Sequence, residues 1–348
     1  MPQFEITLVQ HAEERAKRSG YNFYYGYPIR SPYRFNERQL VAGMVRSILQ
    51  RNAGRMAKRY LAAIVKPTLR FLIDWSAAPR FCLELSATGS LRDFSFTSRI
   101  GELGQGVSYC YWHWTAGYQI ISDYASWASV TGAPVGGASA TPDYVMFNPD
   151  SGRIDLMESK GTCSKAHLSR LGSALKQCRS VFGQTLATGY WGSVLTLEPS
   201  LATAELHVRD PQSERRPTFE ERYRLFRMGY ASWFDLQGES DYAQFLRSGS
   251  LDQSGDPVAQ RNEGPPRDPL ALMTAEALGF EPESVRFTLD PQVVEALRER
   301  RAFEKIEWDR LRKMASVDDQ GFGVLRFPDG TEISDAPAPA KTHVVMDE

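Results

Sequence analysis

The chain has 348 residues and a mass of 39.2 kDa, room for about two or three domains at roughly 100–200 residues each. Hydrophobic residues make up 42% and charged residues 24%, a globular composition that excludes a disordered or fibrous chain. The net charge of −1 hides an asymmetry: residues 1–80 hold 14 Lys and Arg against 5 Asp and Glu (+9), and the rest of the chain holds 27 against 37 (−10).

A basic block on a nearly neutral chain points to a polyanion partner or to an acidic surface of the same chain. The first twenty residues carry Glu5, Glu13, Glu14, Arg15, Lys17 and Arg18 with no long apolar run, which argues against a secretory signal. The most apolar stretch, 62–73, is interrupted by Lys66, Pro67 and Arg70 and falls short of the ~18 residues of a membrane span, so no membrane partner is expected. Cys82, Cys110, Cys163 and Cys178 form no CxxC pair and read as reduced thiols, the pattern of a cytoplasmic protein.

In chain order, 21–35 holds seven aromatics interleaved with Arg30 and Arg34, and Pro28 and Pro32 disfavour a helix there. Such a stretch either stacks on exposed bases or forms an extended arm packed on its own domain. Asn36 with Gln39 resembles a capping box, and Leu40, Val41, Met44, Ile48 and Leu49 then recur at helical spacing. Arg46, Arg51, Arg55, Lys58 and Arg59 fall largely between the apolar positions. They predict a basic outer face on one helix, or on two broken near Gly54, able to grip phosphates or simply to face solvent.

A strand and hairpin are expected over 81–95, then a long aromatic helix from Leu103 to Ala128, stopped by Thr131-Gly132-Ala133-Pro134. His113 within it reads as a satisfied, partly buried histidine. Two strands, 142–148 and 153–160, are joined by a turn-rich link, followed by a helix from Ser164 to about Phe182 and strands at 189–197 and 202–208. Beyond Pro211 come helical patterns over 217–247, a linker-like stretch at 248–268, a charged helix over about 291–314, a small hairpin turning at Asp329-Gly330 and a frayed end.

The chemistry concentrates in residues 141–162. Glu158 and Lys160 stand two apart on a strand and therefore share a face, with Asp143 on the neighbouring strand. Two converging carboxylates repel and are best held by a hard divalent cation such as Mg²⁺ or Mn²⁺, with the lysine offsetting charge or positioning water. Of three Pro-Asp pairs in the chain, only Pro142-Asp143 lies on a strand directly before the strand of the one acidic-x-Lys triplet. No P-loop, HExxH or GxSxG motif is present, so ATP hydrolysis and hydride transfer have no sequence support.

In these residues the sequence resembles the PD-(D/E)XK nuclease superfamily over about residues 98–208, with Pro142-Asp143 as PD and Glu158-Ser159-Lys160 as (D/E)XK. The resemblance implies an α/β fold with a restriction-endonuclease-like core, a mixed sheet flanked by helices. That core would span 96–210, between a basic, largely helical N-terminal region (1–95) and a mostly helical accessory region (211–348). It implies metal ligation by Asp143, Glu158, the Ser159 carbonyl and Glu102 of the first core helix, with Lys160 and Gln177 completing the catalytic set. Lys165, His167 and Arg170 on the following helix are further candidates for holding phosphate. The implied activity is metal-dependent phosphodiester hydrolysis, on DNA in preference to RNA, in a setting such as bacterial defence or a mobile element. A non-catalytic nucleic-acid-binding protein, or a scaffolding subunit of a larger complex, is the alternative. A protein partner or a second copy of the chain stays open.

Overall fold

The computed structural model describes residues 2–11, 15–18, 21–24, 28–50, 55–90, 93–135, 141–209, 216–248, 268–281, 284–315 and 323–335. The fold is α/β, a seven-stranded mixed sheet flanked by helices. It opens with strand β1 (Gln3–His11), a separate two-stranded ribbon of β2 (Arg15–Arg18) and β3 (Tyr21–Tyr24), and β4 (Ile29–Asn36), which returns antiparallel along β1. Asn36 and Gln39 then cap each other reciprocally and start helix α1 (Glu37–Gln50), followed by α2 (Arg55–Leu72). Short α3 (Leu85–Ser90) and long α4 (Asp93–Cys110) occupy the stretch where the sequence predicts a strand and hairpin.

The predicted aromatic helix is also divided. After α4 a wide turn at Tyr111–Thr115 leaves the helix, and Ile120–Asp123 forms β5 before α5 (Tyr124–Thr131), which Asp123 caps by accepting from the Ser126 N–H. Strands β6 (Tyr144–Asn148) and β7 (Arg153–Thr162) make the expected hairpin, and α6 (His167–Phe182), β8 (Gly189–Thr196) and β9 (Glu205–Arg209) follow. The sheet order is β4-β1-β9-β8-β7-β6-β5, with β1/β9 and β7/β8 parallel and the other neighbours antiparallel. The N-terminal strands thus complete the same sheet as the predicted core and are not part of a separate helical region.

Strand alternation sends β7 side chains to two cores. Met157 joins Phe4, Leu40, Val41, Leu103 and Leu206 beneath α1 and α4, whereas Ile154 and Leu156 join Ile120, Phe147, Cys178 and Phe226 on the other face. Helix α7 (Phe219–Leu236), with a Thr218–Glu221 capping box, and α8 (Ser240–Ser248) add to this second face. The linker-like stretch is covered by the described residues only at its two ends, Ser248 and Asp268. Helix α9 (Pro269–Leu278), β10 (Arg286–Leu289), α10 (Pro291–Arg298), α11 (Trp308–Met314), β11 (Val324–Arg326) and β12 (Thr331–Ser334) complete the described chain. The expected single helix over 291–314 is three short pieces, with a 3₁₀ segment at Arg300–Lys305 in the middle. β11 and β12 form the expected hairpin at Asp329-Gly330 and pair with β10.

Candidate active site

Helix α4 meets β7 at a point where only glycine fits. A Cβ on Gly104 would fall 2.6 Å from the Lys160 carbonyl oxygen, so helix and strand backbones touch beside the Glu158-Ser159-Lys160 triplet. This seats Gln105 over the start of β6. Tyr144 pairs with Met157, which sets Asp143 opposite Glu158 at the open end of the hairpin ladder.

Glu158 and Lys160 share a face, and Lys160 Nζ donates to Glu158 Oε1 at 2.8 Å. Asp143 is held from the other side: Ser159 donates its backbone N–H (2.9 Å) and its hydroxyl (2.8 Å) to Oδ2, and Gln105 Nε2 donates to Oδ1 at 3.1 Å. Glu158 is buried, and burial together with the Asp143 charge pushes its carboxyl up to about 8 against the pull of Lys160 and the Asp143 backbone N–H. Burial also raises Asp143, opposed by its Ser159, Lys160 and Gln105 contacts. The buried Cys178 thiol on α6 feels both carboxylates and Lys160, and so lies on the apolar wall that desolvates them.

The donor chemistry fits a hard divalent cation. Glu158 Oε2 is buried and has no hydrogen-bond partner, an arrangement a metal would satisfy, and the Asp143 charge that helps to raise the Glu158 carboxyl would be relieved by it. Asp143 and Glu158 are the side chains that would hold it, with the Ser159 carbonyl the third ligand that the resemblance implies. Glu102 is not brought into this set: its carboxylate accepts from Arg99 at 2.6 Å along α4. Among the described residues no three His, Cys, Asp or Glu side chains gather as metal ligands, so the carboxylate set here is a pair. Gln177 is half-buried on α6, one residue before Cys178. Lys165 and Arg170 are exposed on the same flank, Lys165 lying 3.6 Å from Glu198.

The basic face predicted for the N-terminal helices is corrected. Arg46 is 3% exposed and paired with Asp329 of the β11–β12 turn, its guanidinium 4.8 Å from the Phe327 ring centre and 5.1 Å from that of Trp233. Lys58 is also buried and donates to the Leu49 carbonyl at 2.8 Å, while Arg59 lies half-buried 3.9 Å from Asp268. For Arg46 the cause is physical: α1 is covered on nearly all sides, so a cation between its apolar positions meets protein and is neutralised there, whereas Lys58 and Arg59 of α2 are taken up by the Leu49 carbonyl and by Asp268. Arg51 lies outside the described residues, and Arg55 is placed only as the first residue of α2.

Two contributors escape the sequence reading. Gln105 stands one helical turn beyond Glu102, a position detectable from the i, i+3 spacing on a helix already assigned to the site. The Ser159 hydroxyl reads in sequence as the spacer of the triplet. Asp155, a further buried acid on β7, is saturated by Tyr118, Thr188, Arg153 and Trp191 and serves the packing of the strand. His113 is fully buried, its Nδ1 3.2 Å from the Tyr118 carbonyl. Among the described residues no helix is long and apolar enough to cross a membrane. No family model matches the chain, and no curated protein or solved structure matches it.

Proposed function

We propose that the chain is a metal-dependent nuclease with a restriction-endonuclease-like core, hydrolysing phosphodiester bonds in DNA. The observation that carries this reading is the buried, unpartnered Glu158 Oε2 beside Asp143 and Lys160 at the open end of the β6–β7 hairpin. The order of elements supports it: helix α4, strand β5, short helix α5, strands β6 and β7, helix α6, then β8, with β5, β6 and β7 antiparallel neighbours and β8 parallel to β7.

A divalent cation bound here supplies charge neutralisation for a phosphate oxygen and acidifies a water. The chain's residues do the rest. Ser159 and Gln105 fix the Asp143 carboxylate, so it is aimed before substrate arrives. Lys160 holds Glu158 Oε1, leaving Oε2 as the free donor, and its ammonium stands where it can orient an attacking water or offset developing charge. The apolar wall around Cys178 lowers the local dielectric and strengthens each of these interactions. The preference for DNA over RNA rests on likeness to the superfamily alone.

Incubation with supercoiled plasmid and Mg²⁺ or Mn²⁺ tests the reading. Cleavage is expected, stopped by EDTA and abolished in Asp143→Asn, Glu158→Gln and Lys160→Ala with the fold retained by circular dichroism. Undiminished cleavage by Glu158→Gln would overturn it.

A further inference from the structure

Helix α2 leaves an apolar stripe uncovered. Met56, Tyr60, Ala63, Pro67 and Phe71 follow one another at helical steps of four, three, four and four residues, and so share one face. Met56 is 75%, Tyr60 63% and Phe71 39% exposed, three of the eight large apolar side chains that are exposed among the described residues. Beside the stripe, a groove of about 580 Å³ lies between α2 and α9, lined by Pro67, Met273 and Ala277 and charged by Lys66, Arg70 and Glu276. None of these three charged side chains forms an ion pair with a described residue. An exposed apolar face rimmed by charge marks a docking surface.

The charges on α2 decide what kind of segment fits. The helix carries Arg55, Lys58, Arg59, Lys66 and Arg70 and no acidic residue, so two copies packed α2 to α2 would set like charges against each other. The occupant that fits is an apolar segment bearing acids. Position then selects the segment. Asp268, at the start of α9, lies 3.9 Å from Arg59, and the groove lies beyond it, between the later turns of both helices. At the far end of α9, just after β12, Asp335 accepts from the backbone N–H of Glu281. The four residues from Ala277 to Glu281 span at most about 14 Å.

The sequence after Asp335 reads Ala-Pro-Ala-Pro-Ala-Lys-Thr-His, then Val344-Val345-Met346-Asp347-Glu348. Alternating alanine and proline favours extended polyproline chain at about 3.1 Å per residue, so residues 336–340 cover about 15 Å, enough to reach the groove. We propose that residues 341–348 dock in the α2–α9 groove of the same chain. Val344, Val345 and Met346 pack against Pro67, Met273 and the apolar stripe of α2, Asp347 and Glu348 pair with Lys66 and Arg70, and Lys341 meets Glu276. The docking is independent of the nuclease reading.

Hydrogen–deuterium exchange on the full, metal-free chain, read by mass spectrometry, tests it. Amides of 342–348 should exchange at least about tenfold more slowly than in a synthetic peptide of the same sequence. Lys66→Glu with Arg70→Glu should return them to the peptide rate, and so should Asp347→Lys with Glu348→Lys. The four substitutions together should restore slow exchange, a rescue that a general disturbance of α2 would not give. Val345→Asp should abolish the protection with every groove charge in place. Lys66 is half-buried and Arg70 exposed, so melting temperatures near wild type are expected and certify the fold.

Exchange of the wild-type segment at the peptide rate overturns the proposal, as does protection that survives the charge reversals or a fourfold variant that fails to regain it. Protection over 249–267 that the Lys66 and Arg70 reversals remove would give the groove to that stretch. Protection of 342–348 that disappears on dilution would give it to the same segment of a second copy. Either result overturns docking within one chain. No arm of the experiment uses metal or duplex, so its failure and the failure of the nuclease reading are separate results.

Discussion

Ser159 gives both its backbone N–H and its hydroxyl to one oxygen of Asp143, at 2.9 and 2.8 Å, and so spans the two strands of the candidate site. From the sequence only the Ser159 carbonyl is implicated, and Ser159→Ala would be silent. The observed bond predicts otherwise. Ser159→Ala should lower metal-dependent cleavage about 10- to 100-fold, the usual cost of losing a group that orients a ligand, with a melting temperature near wild type. Ser159→Thr should restore much of the rate, and an unchanged Ser159→Ala rate would show that the hydroxyl plays no part.

Arg46 and Asp329 stand 283 residues apart and close on each other in the interior, with Tyr230 donating to the Asp329 carbonyl and Thr331 donating its N–H and hydroxyl to the Asp329 carboxylate. Removing one partner leaves the other charged and buried. Arg46→Met should therefore cost about 3–5 kcal/mol of stability, read from urea unfolding. It should leave the salt slope of duplex binding unchanged, because this cation touches no phosphate. A changed salt slope with undiminished stability would contradict the structure.

The raised Glu158 carboxyl sets a pH dependence whose sign can be stated. Between the ordinary carboxyl range, 4.5, and about 8, the folded protein holds a proton that the unfolded chain has released, so metal-free stability falls as pH rises through that window. A metal needs the carboxylate and must displace the proton. Mg²⁺ affinity should then rise by about tenfold per pH unit up to about 8 and level off above it. Calorimetry in two buffers of different ionisation enthalpy should detect the released proton, and Glu158→Gln should abolish both effects.

His113 works in the opposite direction. Burial lowers it to about 4 from 6.5, since it packs in the interior with its Nδ1 on the Tyr118 carbonyl. The unfolded chain gains a proton near 6.5 that the folded chain refuses until about 4, so stability falls as pH drops through this range. His113→Gln should be less stable at pH 7 but lose less between pH 7 and pH 5, as followed by the urea midpoint.

The sequence by itself determined what local chemistry can encode. The turn at 149–152 and the flanking alternation specified the β6–β7 hairpin, the period of two put Glu158 and Lys160 on one face, and the 3.6-residue stripe from Leu171 to Cys178 specified α6. It did not determine where the aromatic run from Tyr111 to Ile121 leaves the helix, because a segment buried on several sides has no polar face to reveal its period. Nor did it place β1 beside β9, a parallel pairing across about two hundred residues that only the assembled sheet supplies. Whether an arginine meets solvent or protein was likewise decided in three dimensions. Arg46 and Arg30 look alike in the sequence, yet one is sealed against Asp329 and the other lies at the sheet edge beside Glu205, because burial and ion pairing depend on partners hundreds of residues away.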